Sequence, residues 1–101
     1  TMLNITDATR AASQLKAEGR WAEAVAAYEA ITRAFPGHAV AFHNLASTLG
    51  DAGRPAAAEQ AARQAMRLGL DAPETRLVCA RAVQSQGRFD EAGELFREAL
   101  K

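Results

Sequence analysis

The chain has 101 residues, enough for one compact domain that buries roughly 60–70 % of the surface exposed by its unfolded state. Its twelve basic and twelve acidic side chains cancel, so no net field attracts nucleic acid or an anionic membrane surface. No apolar run approaches the roughly 20 residues of a membrane span, and the first residues lack the pattern of a secretory signal. The single cysteine, Cys79, cannot form an internal disulfide, which favours a reducing compartment and a cytoplasmic location.

One unit is repeated three times along the chain. Gly19, Gly53 and Gly87 are equally spaced, and an arginine follows each of them. Their spacing falls in the range of roughly 20–50 residues that is typical of stacked repeat proteins, in which each unit covers the apolar face of its neighbour. We therefore expect one domain over the whole chain, built from three repeats at about residues 5–38, 39–72 and 73–101.

Helix-start and helix-stop residues predict six helices in three hairpins. Glycines end several of them, and Pro55 suits the first position of the fourth because that position needs no amide donor. Thr6 is the expected N-cap of the first helix, and Asp71 with Glu74 is an expected capping box for the fifth. The predicted helices cover about residues 7–18, 21–34, 39–52, 55–68, 72–86 and 89–101.

Small and large residues alternate at the positions through which the repeats should stack. Alanine recurs five residues after each repeated glycine and seven residues before it, which lets two helices approach closely. The positions four before and two after the glycine hold larger residues, so facing surfaces can interdigitate without voids. The alanines are Ala12, Ala24, Ala46, Ala58, Ala80 and Ala92. The larger residues are Leu15, Trp21, Leu49, Pro55, Val83 and Phe89.

This pattern resembles that of the tetratricopeptide repeat over Ile5 to Lys101. The second unit departs from it, with Pro55 and Ala62 in place of two aromatic residues and Leu70 in place of a closing proline. The resemblance implies an all-α fold, a right-handed superhelix of three antiparallel helix-turn-helix repeats, also called an α-solenoid. The first unit matches the pattern most fully, through Ala12, Leu15, Gly19, Trp21, Ala24, Tyr28 and Pro36.

The resemblance also implies a non-catalytic adaptor or scaffold domain of a larger protein, which binds a peptide or protein segment in its concave groove. Since this scaffold serves many partners, a more specific prediction of function must rest on the residues that line the groove. Asn44 is the first candidate, because its amide can donate to and accept from a peptide backbone; alternatively it only links neighbouring helices. The expected groove residues are Thr9, Arg10, Ser13, His43, Asn44, Ser47, Asp51, Leu77, Val78, Arg81 and Gln84, with Thr6, Lys16, Val40 and Glu74 also lining it.

Two binding modes of related repeats are not expected here. One is a clamp for the C-terminal carboxylate of chaperones, whose five positions the resemblance places at Thr9, Ser13, Asn44, Glu74 and Val78. Only Asn44 fits, and Glu74 would repel a carboxylate. The other is an array that reads RNA one base per unit, which needs several units and a positive groove.

No residues combine into a catalytic, metal or cofactor site, and an enzyme is not predicted. His38 and His43 lie off a common helix face and lack further ligands, so His38 is expected in a loop or as a helix cap. Cys79 is expected to be a buried small side chain rather than a nucleophile. The arginines after the glycines are expected to be solvated along one edge, or alternatively to contact an acidic partner. They are Arg20, Arg54 and Arg88.

The end of the sequence indicates a second class of function. No extra polar-faced helix follows the third repeat, so Leu95, Phe96 and Leu100 are expected to leave an apolar face uncovered. Either the chain is a piece of a longer protein, or a second copy covers this face in a symmetric homodimer. Self-association is therefore the alternative to groove binding. At the other end, Met2 after Thr1 is a candidate native start.

Overall fold

The computed structural model describes residues 4–101, so the candidate start at Met2 lies outside it. All regular structure within these residues is α-helical, which confirms the predicted all-α fold of three helix hairpins. Each predicted helix is present, and the ends agree to within two residues. The helices are α1 (Ile5–Ala17), α2 (Trp21–Ala34), α3 (Ala39–Asp51), α4 (Pro55–Arg67), α5 (Pro73–Ser85) and α6 (Phe89–Ala99).

Each helix packs mainly against the helices that precede and follow it in sequence. One further contact joins α3 to α5, whereas α4 and α6 make no comparable contact within the described residues. In the second and third hairpins the first helices, α3 and α5, therefore lie closer together than the second helices, α4 and α6, as the inner layer of a curved repeat requires. The domain measures 46 × 27 × 18 Å and is therefore elongated along one axis.

The repeated glycine closes the turn between the two helices of each hairpin. Gly53 has φ +75°, in the left-handed region that a side chain disfavours. This conformation lets the Arg54 amide donate to the Leu49 carbonyl at 2.9 Å, which satisfies an acceptor at the end of α3. The same turn recurs at Gly19 and Gly87. The regular spacing of these glycines thus reflects one turn that recurs in every repeat.

Two of the predicted N-caps are wrong. The α1 cap is Asn4, whose Oδ1 accepts from the amides of Thr6 and Asp7, so the helix begins before Thr6 can cap it. The capping box of α5 is also absent, because Pro73 takes the first helical position and makes Ala72 the N-cap. Asp71 lies one residue too early and pairs with Arg76 instead.

The core is built largely from small side chains, as the alternation predicts. The six repeated alanines are buried, and so are Leu49 and Val83 among the larger residues. Around them pack Tyr28 and Ile31 of α2. Four alanines of α4 are also buried, so α3 and α5 approach this helix closely: Ala58, Ala61, Ala62 and Ala65.

Four of the six larger residues predicted at stacking positions are not core residues. Leu15 and Pro55 are half-buried, Trp21 is 38 % exposed and Phe89 is 68 % exposed. The exposure of Phe89 has a simple cause, since its helix α6 packs mainly against α5 among the described helices. Stacked repeats cover each unit with the next one, and no element within residues 4–101 follows α6. The prediction of Phe89 as a buried stacking residue is therefore wrong.

Candidate functional site

The inner layer of helices α1, α3 and α5 carries the predicted groove residues. At its first junction, Lys16 of α1 reaches across to α3. The Lys16 ammonium donates to Ser47 Oγ at 2.8 Å and lies 3.5 Å from Asp51 Oδ2. Two predicted groove residues, Ser47 and Asp51, are thus partly engaged in joining one hairpin to the next.

His43 joins α3 to α5. Its Nδ1 and the Oγ1 of the buried Thr75 form a hydrogen bond of 3.0 Å. Burial lowers the pKa of His43, and the positive charge of Lys16 lowers it further. The neutral imidazole is therefore the form that this junction favours. This bond gives His43 a structural role at the second junction, which the sequence interpretation did not anticipate because it did not consider Thr75.

A pocket lies between the C-terminal half of α3 and α5. It has a volume of about 430 Å³ and brings together four predicted groove residues, Ser47, Asp51, Val78 and Arg81. We call it the Arg81 pocket. Arg81 is exposed and forms no ion pair within the described residues, whereas Asp51 faces Lys16. The pocket thus offers one cationic group without an acidic partner.

The sequence interpretation missed five residues of the Arg81 pocket. Four of them carry neither charge nor a side-chain hydrogen-bonding group and the fifth, Ser85, carries only a hydroxyl, so their chemistry did not mark them as groove residues. The available signal was the comparison between repeats, because Pro55 occupies a position that is aromatic in the other two units. The five residues are Gly50, Gly53, Pro55, Ala82 and Ser85.

The other predicted groove residues lie on the same three helices but outside this pocket. Asn44 of α3 is half-buried, and its side-chain amide forms no hydrogen bond within the described part of the chain. Its backbone carbonyl accepts from Thr48 Oγ1 at 2.8 Å. The remaining ones are distributed over α1 and α5, where Arg10 pairs with Asp7 at 3.4 Å. They are Thr9, Arg10, Ser13, Leu77 and Gln84.

Two of the three arginines that follow the glycines pair with acids of the same chain. Arg20 pairs with Glu18 and Glu23. Arg88 of the third turn binds Glu59 of α4, with a shortest distance of 2.7 Å. This second pairing joins two hairpins. Arg88 is nevertheless exposed, as predicted, and its link between two hairpins is an addition that the sequence did not indicate.

Glu59 is the centre of a charged network on the outer side of the second junction. Its carboxylate accepts from Arg88 at 2.7 and 3.1 Å, from Gln86 at 2.8 Å and from Arg63 at 2.9 Å. These donors, Arg88 first, lower the pKa of Glu59 to about 2. The network therefore fixes α4 to the turn that precedes α6.

The remaining reactive side chains have structural positions. His38 caps α3, since its Nδ1 accepts from the Ala41 amide at 3.2 Å, as predicted. Cys79 is fully buried, as predicted, and burial raises the pKa of its thiol. Within residues 4–101, no group of three His, Cys, Asp or Glu side chains could hold a metal ion. No helix in that range is long and apolar enough to cross a bilayer.

The outer side of α6 carries an apolar stripe. Phe89, Phe96 and Leu100 are seven and four residues apart, so they share one face of the helix. Leu100 is 76 % exposed, while Phe96 and Leu95 are half-buried against the core. Of the three residues predicted to form an uncovered face, only Leu100 is strongly exposed, and the exposed stripe consists mainly of Leu100 and Phe89 with the half-buried Phe96 between them.

The helix pairs, the repeated turn and the curved inner layer define a helical-repeat protein. A sequence model of the tetratricopeptide repeat matches residues 43–101. The chain belongs to the tetratricopeptide repeat family. No curated protein sequence matches it significantly.

Several solved structures share this fold. The C-terminal globular domain of LpoP from P. aeruginosa aligns with a TM-score of 0.87 at 24 % identity, over 99 % of this chain and 100 % of that one. The Yersinia enterocolitica type III secretion translocator chaperone SycD aligns with a TM-score of 0.86 at 15 % identity, over 95 % of this chain and 75 % of that one. MamA MSR-1 C2 aligns with a TM-score of 0.84 at 22 % identity. The match covers 95 % of this chain but only 55 % of that one.

Proposed function

We propose that this chain is a protein-interaction module that binds an extended segment of a partner protein along the inner layer of α1, α3 and α5, as a non-catalytic adaptor domain. The observation that carries the proposal is the Arg81 pocket, which combines an unpaired cation with small apolar residues on that layer. The free amide of Asn44 lies on the same helix as one wall of the pocket. A neighbour of the same fold, SycD, is described as a chaperone of translocators, which agrees with this class of function.

Substitution of Asn44 and Arg81 by alanine is expected to abolish capture of the partner from a lysate of the source cells. Both side chains offer hydrogen-bond donors on the inner layer, and each lost contact should weaken binding by about 1 kcal/mol or more. His43 is left unchanged in this variant, because removing it would also break its bond to Thr75. Captured proteins would be identified by mass spectrometry beside those held by the wild type.

A matched control removes the same two chemical groups from the second helices. Arg33 of α2 and Gln60 of α4 are both exposed, and their replacement by alanine should leave capture unchanged. If the groove variant retains every partner of the wild type, the inner layer is not the binding surface.

The exposed stripe on α6 supports a second candidate function, self-association through this helix. Leu100 and Phe89 are the most exposed large apolar side chains of the described residues, and exposed apolar patches often mark contact surfaces. In that case Leu100→Glu should convert a dimer into a monomer in sedimentation velocity runs. Val40→Glu, at an exposed apolar position on α3, should leave the dimer intact. A wild type that sediments as a monomer at about 100 μM has a dimer Kd well above that concentration and would exclude this function.

A further inference from the structure

The two junctions of the inner layer differ in one set of positions. At the first junction, Lys16 binds Ser47 and faces Asp51. One repeat later, the corresponding residues are Gly50, Arg81 and Ser85. Gly50 thus occupies the position equivalent to Lys16, and Arg81 occupies the position equivalent to its acceptor Ser47. The contact that closes the first junction has no counterpart at the second.

Gly50 and Pro55 leave space near the end of α3, whereas the bond between His43 and Thr75 joins α3 to α5 nearer the start of both helices. A β-carbon at Gly50 would meet no atom within 4 Å, so no group packs directly against this glycine. A glycine within a helix costs about 1 kcal/mol relative to alanine, which means that the helix itself does not favour it. Pro55 begins α4, whereas Trp21 begins α2 and Phe89 begins α6. The Arg81 pocket therefore exists because both a long side chain and an aromatic ring are missing.

The charges around this pocket favour an anionic group. Asp51 lies 3.5 Å from Lys16, which offsets part of its charge. Arg81 has no acidic partner among residues 4–101, and its guanidinium is exposed at the pocket. Its planar fork is suited to a carboxylate, with which it can form two parallel hydrogen bonds. Beside it, Val78 and Ala82 give the wall an apolar character.

We propose that the Arg81 pocket binds an acidic side chain, Asp or Glu, of an extended partner segment, with a neighbouring apolar side chain of that segment in the space beside Pro55 and Ala82. This inference rests on the proposed function and specifies its partner. A side-chain carboxylate can reach the exposed Arg81 from the solvent side. A chain terminus lying in the pocket would instead bring its carboxylate toward Asp51, whose charge Lys16 offsets only in part, and like charges repel.

Arrays of random nonapeptides, acetylated and amidated at their ends, test the proposal on the purified chain. Peptides bound by the wild type should be enriched in Asp or Glu beside an apolar residue. Arg81→Glu should invert this preference toward Lys or Arg, with a change of about tenfold in relative signal, as expected for one charge-assisted contact. Arg33→Glu is the control, because Arg33 is exposed on α2, and should keep the acidic preference.

Pro55→Trp tests the space itself. This variant restores the aromatic residue that begins α2, so we expect it to fold, as circular dichroism would show. It should lose about tenfold or more of the wild-type signal because the ring fills the pocket, by analogy with the cost of overpacking a filled site. Pro55→Ala, which leaves the space open, should retain binding.

The outcomes separate the two proposals. If the wild type binds peptides without an acidic preference, or if Pro55→Trp binds them unchanged, the pocket assignment is overturned while the groove function stands. A second array with free C-terminal carboxylates distinguishes the source of the charge, and a preference for it over the amidated array would also overturn the assignment to a side chain. If no peptide of either array binds, the proposed groove function fails together with this inference.

Discussion

Ile31→Ala is expected to lower the free energy of unfolding by about 3 kcal/mol, the usual range for removing most of a buried aliphatic side chain being about 2–5 kcal/mol. Ile31 is 1 % exposed and belongs to the core between α2 and its neighbouring helices. For a domain of this size the melting temperature should fall by roughly 15 °C. Urea unfolding followed by circular dichroism measures the difference.

Two controls belong to this experiment. Ile31→Val removes one methylene group and should cost only about 1 kcal/mol. Val40→Ala shortens an apolar side chain that is exposed on α3 and should change stability by less than about 0.5 kcal/mol. An Ile31→Ala variant as stable as Val40→Ala would show that the core does not depend on this residue.

Glu59→Gln is expected to destabilise the fold at pH 7 by about 2 kcal/mol, the usual size for hydrogen bonds to a charged group. The side chain of Glu59 is 12 % exposed and accepts four hydrogen bonds from Gln86 and two arginines, Arg63 and Arg88. Glutamine has nearly the same shape but loses the charge, and its amide would direct a donor toward cationic groups. The expected loss is no larger because solvent screens the half-exposed arginines.

The effect of Glu59→Gln should depend on pH in a defined direction. The pKa of Glu59 is lowered in the folded state from 4.5 to about 2, so its ionised form stabilises the fold. This contribution is fully present above about pH 4.5 and is lost as the pH falls toward 2. The stability difference between wild type and variant should therefore shrink over this window, as urea titrations at pH 7, 4 and 3 would show.

A matched control for this network is Glu98→Gln. Glu98 also accepts a hydrogen bond from a cationic side chain, that of Lys101, but both side chains are exposed at the C-terminal end of α6. No measurable change in the urea midpoint at pH 7 is expected for it. If Glu59→Gln behaves like Glu98→Gln at pH 7, the network does not contribute to stability and the pH dependence should be absent too.

The fold could be predicted from the sequence because each repeat ends its first helix in the same turn, and each turn depends on a residue that tolerates positive φ. The buried alanines could be predicted as well, because they lie at constant distances from the repeated glycines. Helix starts were less predictable, since Asn4 and Asp71 compete with neighbouring residues for the N-cap and a proline decided the second case. The exposure of Phe89 depends on what packs beyond α6, and no local pattern encodes that.

The candidate site was only partly predictable for a different reason. Ser47, Asp51, Val78 and Arg81 were expected in the groove because they are placed regularly on the first helices. The pocket that they share lies where Gly50 and Pro55 replace the larger residues found at equivalent positions of other repeats. Such a replacement cannot be recognised from one repeat alone. Comparison of equivalent positions in the three units could have revealed it.

The packing of each helix against its sequence neighbours also bears on how quickly the chain folds. Contacts between consecutive helices close short loops, and the most distant pairing, α3 with α5, still skips only one helix. Proteins dominated by such local contacts have low contact order and typically fold within microseconds to milliseconds. The same chain topology that leaves α6 covered on one side only should therefore let folding begin in any hairpin and spread to the next.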